Sequence, residues 1–182
     1  MLVYVHGGYW QELSKEDSAF LAPAACQAAL AWLQARAGAL GFDAGNVVVA
    51  GSSAGGYLAA ACADAPAAPL RGIVPVSGIF DVAPLIGTSI NDALGLDATT
   101  AAAMDLMTTA RRFCPAVVAW GEIETAEFTR QSRAFAARLA GSGFPCTAFE
   151  VAGRNHFDVV LDLGDPSTTL FAAARALFAT GC

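Results

Sequence analysis

Charge is thin in this sequence, and positive charge thinner. Charged residues make up 14 % of 182, ten Lys and Arg stand against sixteen Asp and Glu, and the formal net charge is -6. No basic run interrupts that pattern, which argues against a polyanion such as nucleic acid as a partner. Cysteine is sparse: Cys26, Cys62, Cys114, Cys146 and Cys182 are odd in number and show no C-x-x-C pair or metal-ligand spacing. Reduced thiols in a cytoplasmic protein are therefore expected, and no metal. The longest uncharged run, Ala44 to Ala63, is broken by glycines, Asn46 and two serines, so it reads as soluble core rather than a membrane span. No basic n-region precedes the first apolar segment, and no secretory leader is expected. Neither a Gly-Lys-Ser/Thr nor a G-x-G-x-x-G can be read, so both nucleotide-binding signatures are missing.

What is present is apolar: 55 % of the chain, enough for one domain with a full core. The stretch Val47-Val48-Val49-Ala50-Gly51-Ser52-Ser53-Ala54-Gly55-Gly56 runs β-branched residues into G-x-S-x-G and then into a small-residue helical pattern. Strand, sharp turn and helix in that order make a nucleophile elbow, with Ser53 projecting alone above the sheet. An ordinary glycine-rich loop at a helix N-terminus is the alternative.

Leu2-Val3-Tyr4-Val5 is a short strand leading into His6-Gly7-Gly8-Tyr9-Trp10. Two glycines there can turn backbone N–H groups toward one point, as an oxyanion hole requires. His6 is expected to brace that loop. Tyr9 is a candidate for substrate contact, whereas Trp10 is expected to pack beneath the loop, with substrate contact the alternative. Ser14 and Asp17 form a capping-box pattern, and helical periodicity follows from Ala24 to Ala39. Strands are predicted at 72–77, 115–121 and 146–151, a strongly amphipathic helix at 125–139 and a final helix at 168–179. The long connection 84–112 reads as short helices and loops, either a small cap over the site or a plain excursion. The sum is one α/β domain over residues 1–182, with about five strands in a mostly parallel sheet and helices on both faces.

A reactive serine needs a base and an acid that orients it. Of the two histidines, His6 already has a place in the glycine loop, which leaves His156, delivered by the last strand. Glu124, Asp81 and Glu122 all lie just past strand ends. Glu124 is preferred, with Asp81 the alternative acid, since either keeps the order Ser, acid, His. The oxyanion donors would be the N–H groups of Gly8 and Ala54, helped by Gly7 or Tyr9. Such a mechanism asks for no metal or organic cofactor.

On His6-Gly7-Gly8-Tyr9-Trp10, Gly51-Ser52-Ser53-Ala54-Gly55 and Asn155-His156-Phe157, the chain resembles the α/β-hydrolase superfamily. More narrowly it is similar to the kynurenine formamidase (arylformamidase) group, marked by H-G-G-x-W, beside the hormone-sensitive-lipase-like esterases. Glu124 to Ser132 resembles that group's acid-bearing segment, with glutamate where aspartate is commoner. The resemblance implies hydrolysis of N-formyl-L-kynurenine to kynurenine and formate. A carboxylesterase for small acyl esters, and an idle hydrolase fold serving as a binding module, are the other two readings. The chain departs from the family pattern in two places. Met1 opens the oxyanion strand itself, without the usual N-terminal strands. Leu21-Ala22-Pro23 runs straight into Ala24-Ala25-Cys26 where a further helix and strand are usual. These departures put the H-G-G strand at the sheet edge, so that either a partner chain, as in a homodimer, covers that edge or the fold is weakened.

Overall fold

Short apolar segments that alternate with helical ones can bury both sheet faces only as a layered α/β arrangement. In the computed structural model, which describes residues 1–8, 22–64 and 69–179, the apolar segments are β1 (Leu2–Val5), β2 (Val48–Ser52), β3 (Gly72–Val76), β4 (Ala116–Ile123) and β5 (Cys146–Asn155). All pairings among them are parallel, and the sheet order β1-β2-β3-β4-β5 equals the chain order. The expected parallel sheet is thus found. The capping-box pair Ser14 and Asp17, together with Tyr9 and Trp10, lies outside the described residues.

Sequential order has a geometric consequence. Right-handed crossovers that always step toward the same edge leave every connecting helix on one face. There α1 (Ala22–Ala35), α3 (Ala54–Ala63) and α7 (Ala126–Gly141) bring Leu30, Leu58 and Phe135 against Val49, Ile73 and Val118. The short α2 (Ala37–Leu40) follows α1 and ends on Gly41, at φ 76°. Alternate strand residues Val48, Val74 and Val117 point to the opposite face, where α8 (Thr169–Ala179) covers them through Leu170, Ala174 and Leu177. Val159, opening a 3₁₀ helix at Val159–Gly164, completes that layer. Helices occupy both faces, but α8 is the one α-helix that packs on the second among the described residues.

Strands buried on both sides need continuous apolar runs, and β2 and β3 are buried at every position. At the edge β1 alternates instead: Val3 and Val5 pack into the first-face core, while Leu2 and Tyr4 are each 48 % exposed. Between β3 and β4 the ladder is interrupted. Ile73 N–H donates to the Pro115 carbonyl at 3.0 Å and Ser77 N–H to that of Ala119 at 2.8 Å, but the residue between them in this series is Pro75, which has no N–H to give. Proline is unusual in an interior strand.

The connection 84–112 belongs to the first-face core. After a 3₁₀ helix at Ala83–Gly87 come α4 (Asn91–Leu94), α5 (Ala98–Met104) and α6 (Leu106–Thr109). Asp97 caps α5 by accepting from Thr100 N–H at 2.7 Å, and Asp105 caps α6 by accepting from Met107 N–H at 2.8 Å, the usual role of aspartate at that position. Leu96, Ala101, Met104 and Leu106 are buried. Among the described residues, no helix is long and apolar enough to cross a membrane.

Two strands run further than the sequence predicts. Beyond Val151 the fifth strand continues to Asn155, and the fourth extends to Ile123, which pairs with Asn155 across a register shift. The cause is local: Gly153 adopts φ 71°, which lets the chain bulge and resume pairing.

Candidate active site

A chain turning from strand to helix within one residue must place that residue in a region most side chains avoid. Ser53 does so, at φ 57° and ψ -121°, between the end of β2 and the start of α3. Such strain persists only where the surroundings enforce it. Here glycines let three backbones close on the turn. A Cβ on Gly51 would overlap the Gly55 carbonyl, and one on Gly55 would overlap the carbonyls of Val5 and His6. The end of β1 is therefore pressed against the elbow, and Ser53 N–H donates to the Val76 carbonyl at 2.9 Å.

The same closeness fixes the glycine turn after β1. A Cβ on Gly7 would stand 3.0 Å from the Ser52 carbonyl oxygen and 3.2 Å from Ser53 Cβ. Gly8 has φ 117°, a conformation open to glycine. His6 Nδ1 lies 2.7 Å from the Gly7 carbonyl oxygen, a contact within the loop itself. Ala54, 1 % exposed, is the first residue of α3, where unpaired helix N–H groups gather.

His156 follows β5 on a turn held by its neighbours. Asn155 N–H and Nδ2 donate to the two carboxylate oxygens of Asp158, at 2.6 and 2.9 Å. Asn155 Oδ1 accepts from Phe157 N–H at 2.8 Å. Phe128 of α7 packs on the imidazole with ring centroids 4.0 Å apart, and Phe157 meets it edge-on at 5.5 Å. His156 Nδ1 is 3.0 Å from Glu124 Oε2.

The Glu124 side chain has no solvent exposure. Its Oε1 accepts from Gly121 N–H at 2.6 Å and from the Ser77 hydroxyl. Burial pushes its carboxyl upward, but the hydrogen bonds with His156, Ser77 and Gly121 outweigh that and hold it below the usual glutamate value. The other two carboxylates weighed from sequence lie elsewhere. Asp81 Oδ1 accepts from Ala83 N–H at 3.0 Å, with Oδ2 3.6 Å from Arg130. Glu122 Oε2 accepts from Gly153 N–H at 2.8 Å and secures the bulge.

Ser53, His156 and the His6-Gly7-Gly8 turn open on one cleft of about 570 Å³, walled on its apolar side by Tyr4, Phe157 and Val160. Among the described residues, none from 84–112 lines it. Sequence reasoning overlooked Ser77, Phe128 and the Asn155–Asp158 clasp. Only the last leaves a local trace, the N-x-x-D spacing of a side-chain-closed turn.

A strained serine between β2 and α3, a histidine after β5 and a glycine turn after β1 share one edge of the sheet, where open α/β sheets hold ligands. Several known proteins are similar to the chain. The alpha/beta hydrolase fold family matches residues 12–159. Kynurenine formamidase of Danio rerio is 26 % identical over 208 residues, spanning 93 % of this chain and 70 % of that protein. The Salmo salar kynurenine formamidase is 26 % identical over 205 residues, spanning 91 % and 68 %. Carboxyl esterase 2 of Tuber melanosporum superposes with a TM-score of 0.74 at 18 % identity, over 98 % of this chain and 76 % of its own. With a family match across most of its length and the corresponding strand, elbow and sheet order, this chain belongs to the alpha/beta hydrolase fold family.

Proposed function

We propose that the chain is a serine hydrolase of small acyl amides or esters, with N-formylkynurenine the foremost substrate. The observation that carries this reading is the opening of Ser53 and of the Glu124-partnered His156 on one cleft. Glu124 holds a proton on Nδ1 of the neutral imidazole, leaving Nε2 as the acceptor. Ser53 Oγ attacks the carbonyl carbon while Nε2 takes its proton. The resulting oxyanion accepts from the backbone N–H groups of Gly8 and Ala54, with Gly7 beside them, and losing one such donor costs about 3 kcal/mol of barrier. Collapse breaks the bond to the amine or alcohol, which leaves with the proton from Nε2. Water, deprotonated by the same nitrogen, then releases the acid and restores Ser53. For a formamide the acid is formate.

Support for the formamide comes from two of the relatives, the kynurenine formamidases of Danio rerio and Salmo salar. A second reading, a carboxylesterase for aromatic or short acyl esters, is favoured by the apolar wall of Tyr4, Phe157 and Val160. The deciding experiment is labelling with a fluorophosphonate probe, followed by turnover of N-formylkynurenine against p-nitrophenyl acetate. Wild type is expected to label at Ser53, and Ser53→Ala to abolish labelling and lower kcat by roughly 10⁵-fold or more. A folded wild type that neither labels nor turns over either compound leaves only the binding-module reading.

A further inference from the structure

Besides Ser53, one other non-glycine residue among those described has a positive φ: Ser77, at 47°. It stands directly after β3 and is fully buried. A side chain in that region carries a backbone cost that glycine escapes. What serine has and glycine lacks is a hydroxyl, and that hydroxyl donates to Glu124 Oε1. Ser77 N–H is bound to the Ala119 carbonyl at 2.8 Å, so its backbone is tied to the strand that leads to Glu124. With Gly121 N–H also on Oε1 at 2.6 Å, this oxygen is doubly engaged, and Oε2 is the one presented to His156.

We infer that Ser77 is a positioning residue, which orients the Glu124 carboxylate and spreads its charge so that the His156 imidazole is held correctly turned; this rests on the reading of Ser53, His156 and Glu124 as the reacting set. A carboxylate removed from water needs such donors to stay ionised. Without the Ser77 hydroxyl, more negative charge falls on Oε2, and the imidazolium form of His156 is stabilised. Activity on the acid side is then lost at higher pH than in wild type. Among the described residues, the other titratable groups near the pair include His6 and Tyr4, which line the same cleft, Glu122 bound to Gly153, Asp158 bound to Asn155, and, on α7 whose Phe128 packs on the imidazole, Glu127 paired with Arg130.

The test uses the full chain with Ser77→Gly and Ser77→Ala, reading kcat/KM for p-nitrophenyl acetate against pH alongside thermal unfolding. Both variants lack the hydroxyl, but glycine accepts the positive φ and alanine does not, so their stabilities differ. Both are expected to lose roughly tenfold in kcat with little change in KM, and to move the acid limb upward by about half a pH unit. Equal limb shifts despite unequal stability support the inference. A limb that stays in place, or moves only in the less stable variant, overturns it. A wild type without any turnover or Ser53 labelling removes the hydrolase reading itself, whereas an active wild type with an unmoved limb in the variants removes only the role of Ser77.

Discussion

A carboxylate with no access to water must find all its donors within the protein, and Glu124 finds them on three different segments: Ser77, Gly121 and His156. Asp81, by contrast, accepts from Ala83 N–H in its own loop and faces Arg130 of α7 rather than His156. Glu124→Ala should therefore lower kcat by about 10³- to 10⁴-fold, whereas Asp81→Ala should stay within about tenfold of wild type; steady-state kinetics on either substrate checks the ranking. The position of Glu124, three residues past Gly121 where the apolar run stops, is visible in the sequence. That Ser77 meets it is not, because the contact depends on how β3 and β4 align. Burial also governs the thiols. It pushes Cys62 and Cys114 up to about 12, with Cys26 adding to the effect at Cys62, and both are less than a tenth exposed. Thiolate is the reactive form, so iodoacetamide at mildly alkaline pH should leave these two unmodified until denaturant is added, as peptide mass mapping would show.

Whether an element tolerates a methyl group depends on what approaches it. Gly55, in the first turn of α3, lies against β1, and its missing Cβ is what allows the Val5 and His6 carbonyls to close on the elbow. Gly55→Ala must separate β1 from β2 and should cost about 3 kcal/mol or more. Gly38, exposed in α2, has nothing within 4 Å of its Cβ position. Gly38→Ala should gain about 0.5 to 1 kcal/mol through helix propensity and a stiffer unfolded chain. Urea unfolding of the two variants reads opposite signs from the same substitution. The strands themselves were legible because each is an apolar run bounded by glycine, proline or polar residues. Their ends were not: the extension of β5 to Asn155 depends on a bulge at Gly153, and pairing across a bulge involves a partner strand that periodicity does not see. The interrupted ladder at Pro75 was missed for a related reason, since Val74-Pro75-Val76 reads locally as strand and its position inside the sheet comes from topology.

For the whole molecule, the arithmetic of strand order decides how protection is distributed. Among the described residues, the first face is buttressed by α1, α3, α7 and the helices of 84–112, the second by α8 and one 3₁₀ helix. Removing a side chain from α8 leaves a void that no adjoining α-helix can close, so Leu170→Ala should cost about 2–5 kcal/mol, measurable by denaturant unfolding. Sequence patterning showed that both faces carry apolar residues, but not how unevenly they are roofed, because that follows from spatial order rather than from any one segment. The asymmetry also bears on biosynthesis. Because α8 is translated after all five described strands, a nascent polypeptide emerges from the ribosome with one side of that sheet still bare of this helix. Until Leu170 and Leu177 have cleared the exit tunnel, the growing chain carries a sticky surface that a holding chaperone is suited to shield.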